Sequence, residues 1–383
     1  MNEGEREIKV LHLLNYPGNG GTERAILSLI EKLGGRGCSF SVACGMDGPM
    51  KGELAALGTP VYTLPMRSPF DFGAVRALRR LCAEQGIDIV HTHFMRENFI
   101  ACLARNKKAS FAIVNSVTMM TGKRGLTRIF NNAVTKKNSR VICASEAVRR
   151  VQASEGIPER KLEVVYPGAE YIPPEGADIE RLRESLRLPK DAFVVASLAR
   201  FRGEKGHDLA LEAIRLFYGL YGEEAQSRVP VHFVLAGEGE LLEEYRARVR
   251  NLGLGDSVHL PGHLPDTFAL LGLSNLLISH SHEESFGLSI VEGLTAGLPV
   301  AASACDGPQE ILGGQNCGLL TPKGDAKALA EAIHKLATDK PYYHELSRAA
   351  PLRAAAFTKE DNAHKTLEIY KYAVHERERV LHK

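Results

Sequence analysis

Hydrophobic and polar residues alternate along this chain in two recurring patterns. Short apolar runs rich in Val, Ile and Leu, such as IKVLHLL at 8–14, predict buried β-strands. Between them lie segments with apolar residues at helical spacing, such as TERAILSLIEKL at 22–33, which Gly34 and Gly35 close as a helix end. Strands that alternate with helices in this way predict parallel sheets covered by helices on both faces.

The alternation occurs twice, on either side of a Pro-rich stretch. The first series continues through FSVAC, DIVHTHF, FAIVNS and RVICAS, and the stretch that follows, VVYPGAEYIPPEGADI, reads as a linker. A second series runs from AFVVASLA through VHFVLAGEG, SVHL, NLLIS, LPVAAS and GLLTP. We predict an α/β protein with Rossmann-like, doubly wound domains at 1–168 and 169–357, which face each other across a ligand cleft. A charged helix at 358–383 is expected to return toward the first domain.

The overall composition does not indicate a function, so the function must be inferred from local sites. The 383 residues are 44% hydrophobic and 25% charged with a net charge of +2, which excludes disorder and general nucleic-acid binding. The N-terminus does not resemble a secretory signal, and no apolar run approaches the ~18 residues of a membrane span, so a cytoplasmic protein is expected. The seven cysteines form no CxxC pair, which favours buried free thiols over disulfides or zinc.

Three glycine-bearing turns each follow a predicted strand and precede a predicted helix. In the first, NYPGNGGTERA at 15–25, Gly20 and Gly21 would let backbone amides approach an anion at a helix N-terminus. The turn lacks the third glycine of a dinucleotide fingerprint. A tight structural turn is the alternative interpretation.

The second turn, LARFRGEKG at 198–206, carries two cations. Lys205 is expected to open the next helix, where the helix dipole opposes its charge by ~0.3–1 kcal/mol unless an anion lies between them. That conflict, together with Arg200 at the end of a strand, suggests a bound phosphate. The alternative is a solvated basic loop.

The third turn lies in HEESFGLSIVEGL at 282–294, which holds Glu284 and Glu292 eight residues apart. If a helix begins near Leu288, the amides of Phe286, Gly287 and Leu288 would form a second anion cradle. Glu292 has an alternative role, since Ser289-Ile-Val-Glu292 also matches a capping box.

These motifs together resemble the retaining glycosyltransferases of family 4, which have the two-domain GT-B fold. The resemblance covers nearly the whole chain and is carried, in order, by GGTERA, ARFRGEKG, LAGEGE, the two glutamates with seven residues between them, GLTAGLPVAAS, and DGPQEIL with CGLLTPKGD. It implies that a nucleotide diphosphate sugar binds in the cleft, mostly to the second domain.

The resemblance also implies a role for each site residue. Arg200 and Lys205 would neutralise the diphosphate, Glu292 would bind the ribose, and Glu284 the donor sugar. Further donor contacts would come from Gly20, Gly21, Gly237 and the backbone of Phe286, Gly287 and Leu288. His93 matches the family's active-site histidine, although a lone strand histidine is often structural, and we expect His91 to face away from it. The chain has no Asp-x-Asp pair, so we expect no metal or other cofactor, with the two cations replacing the ion.

Two departures from the family pattern concern the acceptor side and the third turn. The chain has NSVTMM at 115–120, where many members carry a further histidine, which leaves the acceptor contacts open. Ser285 and Ser289 replace glycine and proline around the Phe-Gly-Leu turn, a change that affects local stiffness more than chemistry.

Charge is strongly polarised toward the first domain. Residues 96–150 hold twelve Lys or Arg against two Glu, a local charge of +10 that leaves −8 for the remainder. One predicted helical face there combines Leu126, Ile129, Phe130 and Val134 beside Lys123, Arg124 and Arg128. Such a helix can bind an anionic leaflet. The alternative is a solvated helix whose apolar face packs inside the fold.

The expected activity is transfer of a sugar, from UDP or else GDP, to a hydroxyl of a glycan or lipid-linked acceptor in polysaccharide or glycolipid synthesis. The expected partners are therefore the donor, the acceptor and an anionic membrane surface, but no nucleic acid, and the expected location is cytoplasmic with peripheral membrane association. A nucleotide-sugar epimerase and a non-catalytic nucleotide-sugar binding protein are the alternatives.

Overall fold

The computed structural model describes residues 6–106, 110–118, 125–228 and 230–381. The chain forms two compact units, the first comprising Met1–Gly168 with Lys359–Lys383 and the second Ala169–Thr358. No helix among the described residues is long and apolar enough to cross a membrane.

The first unit is built on a seven-stranded sheet in which every pair of neighbouring strands is parallel. Its strands are β1 (Ile8–Leu14), β2 (Cys38–Cys44), β3 (Val61–Thr63), β4 (Ile89–Thr92), β5 (Ala112–Val117), β6 (Arg140–Cys143) and β7 (Leu162–Val164). They lie in the order β3-β2-β1-β4-β5-β6-β7, the doubly wound arrangement. The strands β3 and β7 are the shortest of this sheet, with three residues each.

Helices connect these strands: α1 (Gly21–Leu33), α2 (Met50–Ala56), α3 (Phe72–Gln85), α4 (Met95–Ala104), α5 (Gly125–Thr135) and α6 (Glu146–Ser154). Local chemistry sets several of their ends. The Asp71 side chain accepts hydrogen bonds from two amides of the first turn of α3, and Gly86 closes that helix at φ 63°. Apolar clusters on both sides of the sheet include Val10 and Ile26 in one and Leu11 and Leu78 in the other.

The second unit repeats the plan with six parallel strands. These are β8 (Phe193–Leu198), β9 (Val231–Ala236), β10 (Val258–Gly262), β11 (Leu276–Ser279), β12 (Val300–Ser303) and β13 (Gly318–Thr321), in the order β10-β9-β8-β11-β12-β13. The helices are α7 (Gly176–Ser185), α8 (His207–Arg228), α9 (Leu242–Asn251), α10 (Thr267–Leu273), α11 (Leu288–Thr295), α12 (Asp306–Leu312), α13 (Ala326–Thr338) and α14 (Lys340–Ala354).

The last helix, α15 (Lys359–Leu381), belongs to the first unit. It packs against α1, and its fully buried Tyr370 joins the same apolar cluster as β1 and β2. Arg377 also bonds to Asp88, whose carboxylate accepts the Lys9 amide. The predicted return of the C-terminal helix is confirmed.

All seven cysteines are buried and free, as the sequence predicted. Burial raises the pKa of the Cys82 and Cys143 thiols to about 12, so both remain protonated at neutral pH.

Candidate active site

The predicted site residues follow the strands at the switch point of each sheet. In the first sheet the order reverses between β1 and β4, and in the second between β8 and β11. Gly20 follows β1 and His93 follows β4, whereas Arg200 follows β8 and Glu284 follows β11. Open α/β sheets bind ligands at the carboxyl ends of such strands, because the connections there diverge. Each unit therefore brings its predicted residues to the edge of the sheet where a ligand is expected.

In the first unit, Gly20 is the N-cap of α1 and supplies no side-chain cap. A Cβ on Gly20 would lie 3.0 Å from Oε2 of Glu23, whereas a Cβ on Gly21 would meet nothing within 4 Å. The start of α1 is thus open beside Gly21. Amides at an uncapped helix start are suited to an anion.

His93 lies just after β4 within a buried cluster of three histidines. Its Nε2 is 3.0 Å from Nδ1 of His12 on β1, and its ring stacks on His91 with centroids 4.5 Å apart. The expectation that His91 faces away from His93 is wrong, because residues two apart on an extended strand share a face. His12 was missed; it lies opposite His91 in the β1–β4 ladder, and only the strand register reveals it.

Among the ring nitrogens of this cluster, Nε2 of His12 is buried with no hydrogen-bond partner in the described part of the chain. The ring nitrogens of His91 lie 2.6 Å from the Tyr370 hydroxyl and 2.8 Å from the Ser116 hydroxyl. Burial lowers the pKa of His93 to about 3, and burial together with the charge of His93 lowers the pKa of His12 and His91. All three are therefore neutral near pH 7.

Within the described ranges these three histidines are also the one group placed to hold a metal, with ligand atoms within 4.8 Å of one another. Neutral imidazoles suit Zn²⁺. Since His91 already engages both nitrogens with hydroxyl groups, the geometry fits a hydrogen-bonded cluster better than a metal site.

Glu97 on α4 is a further buried group that the sequence pattern did not reveal. Its Oε1 accepts a hydrogen bond from the Asn15 amide at 2.9 Å, which ties the turn after β1 to the helix after β4. Burial raises the pKa of its carboxyl. An acidic residue in the first turn of a helix is an ordinary partner of the helix dipole, so no feature of the local pattern singled it out.

In the second unit, the basic loop (residues 199–206) connects β8 to α8. Residues Gly203–Lys205 form a 3₁₀ turn, and α8 begins only at His207. Lys205 therefore does not open the helix as expected, and its Nζ lies 2.7 Å from Oε2 of Glu284. The anion that balances Lys205 here is a carboxylate of this chain. Arg200 is exposed, with no ion pair to any residue in the described part of the chain.

The acidic loop (residues 280–287) follows β11 and leads into α11, which begins at Leu288 as predicted. Its N-cap is Gly287 at φ 105°, a left-handed conformation that favours glycine. Ser289 is then the second helical residue and Glu292 the fifth, so the capping-box interpretation of Glu292 is wrong. Phe286 is buried with its ring edge-on to Phe357, and only its backbone can face a ligand.

Glycines allow the loops of this unit to touch backbone to backbone. A Cβ on Gly237 would lie 2.1 Å from the Ala199 oxygen, and one on Gly206 would lie 2.1 Å from the His280 oxygen. Both positions have positive φ, 150° and 68°. Gly237, predicted to bind the donor, therefore also has a structural reason to be glycine: it lets the loop after β9 rest on the basic loop.

Two buried histidines that the sequence pattern did not reveal support the basic loop. Nδ1 of His280 lies 2.7 Å from the Lys205 carbonyl oxygen, and Nε2 of His207 lies 3.1 Å from the Arg200 carbonyl oxygen. A signal was present in the sequence, since His280 is the first residue of the acidic loop and His207 directly follows the basic loop.

In the second unit, two cations, the carboxylate of Glu284 and a helix start without a side-chain cap follow strands of one sheet. Cations beside backbone amides are suited to a phosphate group. The carboxylates of Glu284 and Glu292 are suited to hydroxyl groups.

Comparison with known proteins agrees with this architecture. The family described as glycosyl transferases group 1 matches residues 178–353, and that described as glycosyltransferase family 4 matches residues 19–170. The D-inositol 3-phosphate glycosyltransferase of Corynebacterium urealyticum is 24% identical over 92% of this chain and 90% of its own length. The enzyme of that name from Mycolicibacterium paratuberculosis is 28% identical over 83% and 74%.

Solved structures share the whole fold. Anabaena HepE in complex with UDP and glucose has a TM-score of 0.82 at 21% identity, covering 94% of this chain and all of that one. A glycosyltransferase from Rickettsia africae has a TM-score of 0.82 at 22% identity, covering 96% and 99%. The chain has two Rossmann-like parallel sheets, and each of its two units matches one of these family descriptions. It therefore belongs to glycosyltransferase family 4 and is a glycosyltransferase of the GT-B fold.

Proposed function

We propose that this glycosyltransferase transfers a hexose with retention of configuration from a nucleotide diphosphate sugar, with UDP as the favoured nucleotide. The observation that carries the proposal is the pair of cations on the basic loop, where Arg200 is exposed and Lys205 adjoins Glu284. HepE, which shares the fold, was solved with UDP and with UDP-glucose. Gly20, Gly21 and the amides at the start of α11 supply further donor contacts in this proposal.

The cations act on the leaving group. Glycosyl transfer places positive charge on the sugar and negative charge on the departing diphosphate, so prepositioned cations lower the barrier. Arg200 and Lys205 fill this role without a metal. Glu284 contacts the donor sugar. Glu292, which is the fifth residue of α11 and forms no capping box, binds the ribose.

His93 contributes a hydrogen bond near the reacting sugar rather than a proton. With a pKa of about 3 it is a weak base at neutral pH, far from the value that suits a general base. This supports a mechanism in which the leaving phosphate takes the proton of the acceptor hydroxyl.

The acceptor is proposed to be a hydroxyl of a glycan or a lipid-linked saccharide, in polysaccharide or glycolipid synthesis. The relatives named D-inositol 3-phosphate glycosyltransferase make that small cyclitol phosphate the other acceptor to test. The experiment measures UDP release from UDP-glucose with each acceptor in turn, with Lys205→Ala as the inactive control. Release that depends on an acceptor supports transfer.

The same assay separates the two alternatives. A change in the sugar without any acceptor would indicate an epimerase, and tight binding of UDP-glucose without turnover on any acceptor would indicate a non-catalytic binding protein. Either result would overturn the proposed transfer.

We also propose that the basic region at 96–150 binds anionic membranes reversibly. On α5, Ile129 and Phe130 are 65% and 52% exposed beside exposed Arg128, whereas Val134 packs inward. Four of the predicted cations (Lys107, Lys108, Lys123 and Arg124), the methionines of NSVTMM and the side chain of Leu126 lie outside the described residues. The test is cosedimentation with phosphatidylglycerol vesicles at low salt, comparing the wild type with Ile129→Ser/Phe130→Ser. Equal absence of binding for both would refute the proposal.

A further inference from the structure

His280 lies at the end of β11, where the basic and acidic loops meet. Besides the contact between His280 and the Lys205 carbonyl, the amides of His282 and Glu283 lie 2.9 and 3.2 Å from the Glu204 oxygen. The His282 ring also bonds to Asp208 at 2.8 Å. The two loops therefore form one hydrogen-bonded assembly, within which the His280 side chain is almost completely buried.

The hydrogen-bond partners of His280 show which of its ring nitrogens carries the proton. A carbonyl oxygen only accepts, so Nδ1 must carry the proton that is donated to Lys205. Nε2 of the neutral ring is then an acceptor, and it lies 2.8 Å from the Ser197 hydroxyl on β8. Burial, with a smaller effect of His207, lowers the pKa of His280 to about 3, so this neutral form is maintained near pH 7. Both ring nitrogens of His280 therefore have a hydrogen-bond partner, one on β8 and the other on the basic loop.

The backbone at this point has little freedom to move. Gly206, directly after Lys205, has φ 68°, and any Cβ there would lie 2.1 Å from the His280 oxygen. His207 supports the same loop through the Arg200 carbonyl, and its ring stacks on Phe201 with centroids 3.8 Å apart. Each residue proposed to bind the diphosphate therefore has its own carbonyl held by a buried histidine.

We propose that His280 is a positioning residue, which fixes the Lys205 carbonyl and thereby places the Lys205 ammonium group between Glu284 and the donor diphosphate. The inference rests on the proposed function, because it assigns His280 an effect only through Lys205. It adds a residue to the site that makes no contact with the donor.

The experiment measures binding of UDP and of uridine, so that the ratio of the two dissociation constants reports the diphosphate contribution. Replacing His280 with Leu removes both hydrogen bonds. UDP affinity is expected to fall about tenfold, while uridine affinity changes less than about twofold, because displacement of a charged group by ~1 Å has large effects. His280→Asn retains an amide donor at the position of Nδ1 and is expected to stay within about threefold of the wild type.

Two controls distinguish positioning from general destabilisation. His232→Leu removes another buried histidine of the same sheet, which bonds to His259 and not to the basic loop, and should leave the UDP-to-uridine ratio unchanged. In a Lys205→Ala background, His280→Leu should lower UDP affinity by less than about twofold, because residues that act through one group are not additive.

The outcomes separate this inference from the proposed function. If Lys205→Ala weakens UDP binding but a folded His280→Leu does not, the positioning role is wrong and the proposed function stands. A full tenfold effect of His280→Leu in the Lys205→Ala background, or a loss of equal size in His280→Asn, would also overturn it. If Lys205→Ala leaves UDP affinity unchanged, the diphosphate assignment falls and this inference with it.

Discussion

The Lys205 ammonium group lies 2.7 Å from the carboxylate of Glu284, which is 79 residues further along the chain. The pair joins the loop after β8 to the loop after β11, and the two side chains are 20% and 15% exposed. A cation held by a carboxylate must share its charge with any anionic ligand. Glu284 is therefore expected to influence diphosphate binding as well as the donor sugar.

Glu284→Gln removes the competing charge while preserving the shape of the side chain. We expect UDP to bind up to about fivefold more tightly, since a partly exposed ion pair contributes roughly 0.2–1 kcal/mol. Turnover of the sugar donor should fall, because a contact to the sugar is weakened. Calorimetric titration with UDP measures the first effect, and Glu283→Gln is the control at an exposed neighbouring site. Weaker UDP binding by Glu284→Gln alone would contradict the shared-charge argument.

Arg200→Ala is expected to lower kcat by about 10²–10³-fold, the range found when one transition-state donor is lost. The fold should persist, because Arg200 is exposed and its backbone, not its side chain, bonds to His207. Rates of UDP release and the thermal midpoint together measure this. Arg202→Ala, an exposed cation two residues away, should remain near the wild-type rate. Similar rates for both variants would remove Arg200 from the site.

Gly237→Ala places a methyl group against the Ala199 oxygen at a φ of 150°. We expect a loss of at least about 1–3 kcal/mol in the free energy of unfolding, from backbone strain alone. Gly219→Ala is the matched control, since Gly219 lies within α8 and its added Cβ meets nothing within 4 Å. That substitution should stabilise the protein by roughly 0.5–1 kcal/mol. Urea denaturation measures both, and a neutral Gly237→Ala would show that the loops do not depend on this contact.

Acidification is expected to destabilise the first unit through its histidine cluster. In the folded protein the pKa of His93 is about 3, against a usual value of 6.5, so below pH 6.5 the unfolded chain binds a proton that the folded chain does not. Stability is therefore full above about pH 6.5 and falls as the pH drops toward 3. Between pH 7.5 and 5.5 the loss from His93 is about 1.4 kcal/mol.

The variant His93→Gln tests this titration directly. Urea denaturation at several pH values should show a shallower decline for His93→Gln than for the wild type, whatever its absolute stability. His263→Gln, at an exposed position of the second unit, should keep the wild-type slope. An unchanged slope in His93→Gln would mean that His93 is not the buried neutral group described here.

The fold was predictable because each apolar run is short, bounded by polar residues and followed by a helical pattern, which local periodicity records. The placement of the predicted residues after the four switch-point strands also followed from the sequence, because each of them comes shortly after an apolar run. The contact between Lys205 and Glu284 was not predictable, because the two residues are 79 positions apart in the sequence. The 3₁₀ turn that keeps Lys205 out of α8 was not predicted either. The face of His91 was predictable, and the prediction was wrong, because residues two apart on a strand share a face.

No local sequence pattern could have predicted the contacts of the histidine cluster. His12 meets His93 through the register of β1 and β4, and His91 meets Tyr370 across 279 residues of sequence. Such contacts depend on the order of strands in the sheet. The capping box of Ser289 and Glu292 failed for the opposite reason: its spacing is correct, but the helix begins two residues too early for it.

Tyr370 also has a consequence for the order in which the protein assembles during synthesis. It fills the core of the first unit and braces His91, yet the ribosome makes it after the whole of the second unit. Domains generally fold as units, in the order in which they emerge. The second unit is one continuous segment that can complete its core first. The first unit cannot bury the apolar surface that Tyr370 covers until α15 has been translated.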